Sequence, residues 1–382
     1  MSKKSETYNS EPFGTIKGRK ERSFIGTLFV IVLLALTMSL SIALLIAYLT
    51  PYVSPSTFGS LTIVGIFAPI LYLCVAVCML LWIVMRRWKT AIVVALLLLP
   101  GAFRYSDFYN IDITRETEQK SDRQSFTLMS YNVRGFYDEE QGRRTLNDFV
   151  DYFAESDIAD IVCFQEFSND VSGVERIDSI FNQRYKRCYM RETVENGNVV
   201  LRTYSCYPII NSGDISGAGR GTSQWADIVV NNSDTLRIFN NHLYTMNISP
   251  DDSEDIAQGK ILNDGDRLMS IIDRIANNTS IRADHVDTLR MVIDNTPYQH
   301  IVCGDFNDTP MSYVYHKLSR DLVDAFVEQG RGYGYTFRPM HGMLRIDYIL
   351  HSEGLSSLYY MANENIDISD HLPIVARLKS QQ

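Results

Sequence analysis

The chain is 382 residues long, carries a net charge of −9 and divides into two parts of opposite sign. Residues 1–103 hold nine Lys/Arg against three Asp/Glu, whereas 104–382 hold 27 against 42. This length accommodates one large domain with an appendage, and the acidic C-terminal part argues against a non-specific nucleic-acid binder, whose affinity rests on Lys/Arg neutralising phosphates.

In chain order, a basic N-terminus over 1–23 comes first, with Lys3, Lys4, Lys17, Arg19, Lys20 and Arg22. From Ser23 to Met85 there is no Asp, Glu, Lys or Arg, and a Pro/Ser/Gly-containing stretch at 51–59 divides this run. The segments 24–49 and 61–85 are each long enough to cross a bilayer core, which takes about 20 helical residues. A third segment, 88–103, has a shorter uncharged run from Thr90 and contains Pro100-Gly101, so an interfacial helix competes with a span there. Arg86, Arg87 and Lys89 ahead of it and Phe103, Tyr105, Phe108 and Tyr109 behind it favour crossing. The region 24–103 is thus predicted to hold three transmembrane helices. Positive charge stays on the cytoplasmic side, which places the N-terminus and 86–89 inside. Three crossings then put the acidic domain on the outer face of the plasma (inner) membrane; two would leave it inside.

Residues 104–124 are polar without an apolar period and read as a juxtamembrane linker. Beyond it, strand-like runs at 126–133, 158–166, 198–210, 226–230, 236–243, 300–305, 333–337, 345–350 and 372–378 alternate with helical stretches at 146–155, 262–277 and 284–294. Hairpins mixed with strands apolar on both faces predict an α+β sandwich, two packed sheets with helices outside. Asn196-Gly197 marks a hairpin turn. A two-residue loop sets Cys188 opposite Ser205; one residue more sets it opposite Cys206, where a disulfide would suit an oxidising compartment.

Six segments end a β-like run with an acid, amide or imidazole: 130–134, 160–166, 240–243, 303–307, 345–348 and 369–371. Glu166 closes an apolar strand, where an ionised carboxylate is costly unless paired or metal-bound. A carboxylate with neighbouring amides and waters suits Mg²⁺, a hard cation that keeps several waters. Asp305 and Asn307 lie two apart and share a strand face; one can accept a proton from attacking water, the other can donate hydrogen bonds to a phosphoryl oxygen. His242 and His371 are the imidazoles placed to stabilise a phosphorane-like transition state or protonate a leaving oxygen. His285, His300, His316, His341 and His351 read as packing or surface residues. Arg134, two residues after Asn132, either reaches a substrate phosphate or forms a salt bridge.

Taken together, and in this order, the six segments resemble the endonuclease/exonuclease/phosphatase superfamily, which includes deoxyribonucleases, abasic-site endonucleases, inositol-polyphosphate phosphatases and neutral sphingomyelinases. The resemblance covers about 126 to 378. It implies a four-layered α/β sandwich of two mixed sheets over residues 125–382 and a divalent-metal-dependent phosphoester hydrolase. It also implies Glu166 as principal metal ligand with Asn132 and Asp370, Mg²⁺ or Mn²⁺ as the ion, and Asp305 as base. Asn307 then stabilises the transition state with His242 and His371, and Asp347 orients His371. Tyr335-Thr336-Phe337 recurs in the family near the site. The glycine-rich 217–221 lacks the spacing of a phosphate-cradling loop and reads as a rim loop, and the acidic 244–265 segment reads as a lid or rim beside His242. The expected partners are the bilayer and a phosphoester, either a lipid headgroup or a small molecule. A nuclease acting on DNA or RNA is the alternative, and an inactive membrane interaction protein is the second.

Overall fold

The computed structural model describes residues 24–111, 124–138, 142–216, 221–230 and 234–381. The basic N-terminus (1–23), most of the expected linker (112–123) and residues 217–220 of the glycine-rich loop lie outside the described residues.

Two six-stranded mixed sheets form the C-terminal part. The first contains β1 (Ser125–Asn132), β2 (Ile161–Ser168), β3 (Tyr189–Asn196), β4 (Val199–Ser205), β11 (Leu355–Ala362) and β12 (Ile374–Ser380), in the order β11-β12-β1-β2-β4-β3. The second runs β9-β10-β8-β7-β6-β5, from β5 (Ile209–Ser216), β6 (Thr222–Val230), β7 (Asp234–His242), β8 (Gln299–Asp305), β9 (Leu322–Asp324) and β10 (Asp347–Ser352). Each sheet has one parallel pair, β1 with β2 and β7 with β8.

Period-two alternation explains the layering. Ile161 and Cys163 of β2 face the inter-sheet core with Ile238, Ile301 and Cys303. Val162 and Phe164, one residue on, face outward beneath α5 (Leu146–Glu155) and α6 (Glu175–Arg184), against Phe149, Phe153 and Phe181. The outer face of the second sheet, with Phe239, Val302 and Leu350, is covered by Val286, Leu289 and Ile293 of α8 (Gly265–Asp294).

Several sequence expectations are corrected. The run 198–210 is two strands in different sheets, because the chain crosses over at 206–208, where Pro208 offers no N–H to a ladder. The helices expected at 262–277 and 284–294 are one 30-residue helix. Its polar middle is held by tertiary bonds: Asn278 donates to the Met246 carbonyl (3.2 Å) and Arg282 to that of Tyr244 (2.5 Å). Of residues 333–337, Tyr333 closes the two-residue strand Gly332–Tyr333 and Phe337 makes isolated bridges. Residues 104–111, expected as linker, are packed on the sandwich: Tyr109 pairs with Tyr333, and Asn110 Nδ2 donates to the carbonyls of Phe326 and Val327. Tyr189 pairs with Ser205, which sets Cys188 beside Cys206, yet both thiols are free.

In the N-terminal part, α1 (Phe24–Leu49) is followed by α2 (Leu61–Ile66), α3 (Ala68–Val84) and α4 (Trp88–Phe103). Among the described residues one helical stretch, Phe24–Tyr52, is long and apolar enough by itself to cross a membrane. The expected single helix over 61–85 breaks at Phe67, just before Pro69, whose missing N–H disfavours continuation. The remaining helices, of 17 and 16 residues, are about 25 Å long. α1, α3 and α4 share a core of Leu33, Leu44, Val75, Trp82, Val94 and Leu98, and Trp82 Nε1 donates to Thr37 Oγ1 at 3.0 Å.

The helices dock on the sandwich at one end. Thr50 Oγ1 donates to the Met311 carbonyl (2.7 Å) and Arg104 Nη2 to the Pro310 carbonyl (3.2 Å). A Cβ on Gly65 would lie 2.5 Å from the Met311 carbonyl oxygen and 2.7 Å from Thr50 Oγ1. Gly65→Leu is therefore expected to destabilise this junction by about 1–3 kcal/mol, read as a fall in unfolding temperature; an unchanged value would contradict the close approach.

Candidate active site

Asn132 ends β1, His242 ends β7, Asp305 ends β8, and Asp347 begins the antiparallel β10. Registers align three of them in a row: His242 pairs with Asp305, and Asp305 with Asp347. The row depends on Gly304 (φ +127°), where a Cβ would lie 2.0 Å from the Asn241 carbonyl oxygen. Arg134 (φ 47°), Glu166 (φ 50°) and Asn307 (φ 52°) also adopt left-handed backbone, a conformation that costs non-glycine residues about 1–3 kcal/mol and clusters at functional sites. At Glu166 it coincides with a register shift between Phe164 and Phe167, which turns the carboxylate out of the strand's alternation.

Asp305 is buried at the centre. Its Oδ1 accepts from the Asn307 N–H (2.8 Å), and its Oδ2 accepts from Asn132 Nδ2 (3.1 Å) and Asn307 Nδ2 (3.0 Å). Asn132 Nδ2 also lies 3.0 Å from Glu166 Oε1. Two carboxylate–imidazole pairs flank the centre. Asp347 Oδ2 is 2.9 Å from His371 Nδ1, and Glu195 Oε2 is 2.8 Å from His242 Nδ1. Both free Nε2 atoms lie 3.8 Å from Asp305 Oδ2.

Electrostatics follow from this arrangement. Burial raises the Asp305 carboxyl above its ordinary range, against the pull of His371 and His242. Burial alone would lower His242, but Glu195, then Glu166 and Asp305, outweigh it and carry it to about 10. His371 reaches about 10 against burial through Asp347 and Asp305. The neighbouring carboxylates thus favour the charged form of both imidazoles around the buried Asp305, a set that can accept a proton from water and neutralise charge on phosphoryl oxygens.

Glu166, His242 and Asp305 offer ligand atoms within 4.8 Å of one another, as do Asp305, Asp347 and His371. His242 Nε2 is buried without a hydrogen-bond partner and lies 3.4 Å from Glu166 Oε1. The Glu166 carboxylate beside that orphaned atom suits a hard divalent cation. Asn132 turns its Nδ2 to this corner, its Oδ1 accepting from the Arg134 N–H at 3.0 Å, so its amide oxygen joins only after the amide turns over. Asp370, expected as a ligand, pairs with Arg134 (Nη1 to Oδ2, 3.2 Å), and burial raises its carboxyl. That contact also realises the salt-bridge alternative for Arg134.

Of the histidines read as packing or surface residues, His285 meets Ser223, His300 the Tyr298 carbonyl, His316 the Tyr52 ring, and His351 Glu328 and Ser357; the side chain of His341 lies outside the described residues. Tyr335-Thr336-Phe337 lies at the site, with Thr336 Oγ1 accepting from the Asp347 N–H (3.0 Å) and the Phe337 ring 4.9 Å from that of His371.

Sequence reading missed Glu195. It sits at a hairpin end beside Asn196-Gly197 and carries no local signal distinguishing it from a solvated acid. It also missed the wholly buried Arg282–Asp308 pair (3.3 Å), which braces the turn after Asn307 from α8. Glu195→Gln is expected to lower kcat on the order of 10²-fold. The sign of its pH effect is fixed: Glu195 is the chief raising influence on His242, so its loss lets the imidazolium deprotonate at lower pH. The alkaline limb of kcat moves down. An unmoved limb would remove Glu195 from the site.

A buried carboxylate between two acid-held imidazoles, at the strand ends of a two-sheet sandwich, is the apparatus of hydrolases that cut phosphoester bonds. The chain belongs to the endonuclease/exonuclease/phosphatase family, whose model matches residues 129–371. A second model, a domain of unknown function, matches residues 27–107. No curated protein matches the chain. Among solved structures it is similar to an endonuclease/exonuclease/phosphatase from Beutenbergia cavernae DSM 12333, with 15% identity, 68% of this chain and 72% of that one covered, and a TM-score of 0.48. The catalytic domain of human Nocturnin gives 16% identity, 68% and 94% coverage and a TM-score of 0.47. A humanised TDP2 from D. rerio gives 14%, 67% and 100%, and 0.49.

Proposed function

We propose that the protein is a membrane-anchored phosphoester hydrolase dependent on a divalent cation, Mg²⁺ or Mn²⁺. The observation that carries this reading is Asp305 Oδ2 at 3.8 Å from both His242 Nε2 and His371 Nε2, each imidazole held by its own carboxylate. In this reading Asp305 orients and deprotonates water. Asn307 and the two imidazoliums stabilise charge on the phosphoryl oxygens, and Asp347 and Glu195 keep the imidazoles charged and aimed. Glu166 and Asn132 hold the cation, Asp370 approaches it only by releasing Arg134, and Arg134 then becomes available to phosphate. The cation, when bound, supplies Lewis-acid stabilisation of the phosphoryl oxygen.

The anchor is α1, with α3 and α4 crossing beside it and 125–382 as the catalytic domain. Support comes from the apolar side chains exposed along this bundle, among them Ile25, Val93 and Phe103 at 76, 66 and 83%, a surface that water does not tolerate at this extent. The ends at Thr50 and Arg104 both meet the catalytic domain, while Arg86, Arg87 and Lys89 lie at the α3–α4 turn. With that basic turn inside, the domain lies on the outer face. A periplasmic reporter fused after Ile111 is expected to be active; activity of a cytoplasmic reporter there instead would reverse the placement.

The test of function is hydrolysis by the detergent-solubilised full chain with Mg²⁺, on plasmid DNA, RNA, sphingomyelin, other phospholipids and inositol phosphates. Lipid or small-phosphoester turnover is expected. Cutting of nucleic acid alone would make it a surface nuclease, and inactivity throughout would leave an interaction protein.

A further inference from the structure

A cavity of about 310 Å³ lies between the membrane-proximal helices and the catalytic domain. Its walls are apolar on every side: Ile63 and Ile66 of α2, Ile271 and Ile275 of α8, and Met246 and Leu344 from loops of the sandwich. Its volume is twice the ~150 Å³ at which a dry apolar cavity already takes up benzene. We propose that it holds the hydrocarbon chain of a membrane lipid whose phosphoester is the substrate, an inference that rests on the hydrolase reading above.

Two sets of contacts argue for this occupant. On one side, Ile63, Ile66 and Phe67 of the short stretch that joins α1 to α3 form the cavity wall, so it adjoins the helices read as the anchor. α2 is itself fixed by Gly65 against Met311 and Thr50. On the other side, the walls lead to the chemistry. Leu344 pairs with Phe337, which pairs with His371, and the Phe337 ring packs on that imidazole. Ile346, in the same cluster, directly precedes Asp347. Met246 follows Leu243, whose carbonyl accepts from Asn307 Nδ2 at 3.0 Å. A segment comprising α7 (Pro250–Ala257) and the turn after it brings Ile256 and Ile261 over the cavity. It is tied to α8 by Arg267 and Arg274 on Asp252 (2.8 and 2.6 Å). The residues read as an acidic lid thus present salt bridges to α8 and isoleucines inward. A polar or nucleotide ligand finds no hydrogen-bond partner among these walls, whereas a hydrocarbon chain loses nothing by leaving the bilayer for them.

The test compares two diesters with one leaving group, 4-methylumbelliferyl hexadecyl phosphate and 4-methylumbelliferyl methyl phosphate, with the full chain in detergent and Mg²⁺. In each, water adds to phosphorus, the bond to the umbelliferyl oxygen breaks, and that oxygen takes up the proton. The wild type is expected to favour the long ester in kcat/KM by at least ~10-fold, and Ile271→Trp and the milder Ile271→Phe are expected to cut that ratio ~10-fold. A diazirine-bearing hexadecyl phosphate provides a readout independent of turnover, expected to label peptides containing 63–67 and 271–275. A long-to-short ratio near one, or label confined elsewhere, would overturn the proposal. Cleavage of neither ester would sink the hydrolase reading and the substrate assignment with it, and the position of the label would then decide the cavity alone.

Discussion

Asp305→Asn is expected to lower kcat on the order of 10³-fold or more while the protein still folds. The carboxyl is buried and its Oδ atoms accept three hydrogen bonds from Asn132 and Asn307. An amide of the same shape keeps the packing and, with rotation of a neighbouring amide, most of those bonds. What it cannot keep is the proton affinity that burial has raised. Removing the carboxylate leaves the His242 and His371 imidazoles without the anion they share, which outweighs the desolvation penalty relieved, so the unfolding temperature should fall. The carboxylates of Glu195 and Asp347 still pair each imidazole, and the protein folds. Activity within tenfold of wild type would remove Asp305 from the base role; unfolding would show that its charge is structural.

Glu166→Gln is expected to raise the Mg²⁺ concentration for half-maximal turnover by ~10²-fold or more and to depress kcat at saturation. The side chain reaches the site because of the local register shift and the left-handed backbone at φ 50°, and the substitution changes neither. It replaces an anionic oxygen with a neutral one in a corner where Asn132 presents its Nδ2 at 3.0 Å. Hard cations bind such a corner through charge more than through shape. Metal titration of turnover in both proteins is the measurement. An unaltered midpoint would move the cation elsewhere, with the Asp305, Asp347 and His371 group the next place to look.

Much of the site was legible because strands in a covered sheet are apolar up to their ends, so an acid, amide or imidazole closing such a run stands out. Asn132, Glu166, His242, Asp305 and Asp347 all announced themselves in this way, and the sandwich brings them together. Glu195 did not, since a carboxylate beside Asn196-Gly197 looks the same whether it faces water or His242 Nδ1. Asp370 carried the same signal, while its pairing with Arg134 is set by the fold and not by the local pattern. The fold was legible where periodicity is local. It was lost where distant partners decide: at Pro208, where one run serves two sheets, and at Asn278 and Arg282, whose bonds to Met246 and Tyr244 carry α8 through a polar stretch. The break at Phe67 is different: Pro69 marks it locally, yet the hydropathy run from 61 to 85 reads as one helix, and Gly65 lets α2 lie against Met311.

The account's central claim is attack of water on phosphorus at Asp305. Its most direct test is hydrolysis of 4-methylumbelliferyl methyl phosphate by the full chain in ¹⁸O-water with Mg²⁺, with mass analysis of both products. One ¹⁸O atom in the phosphate product, none in the alcohol, and no label in Asp305→Asn is the expected result. Label in the alcohol, or wild-type turnover that persists unchanged in the variant, would contradict it.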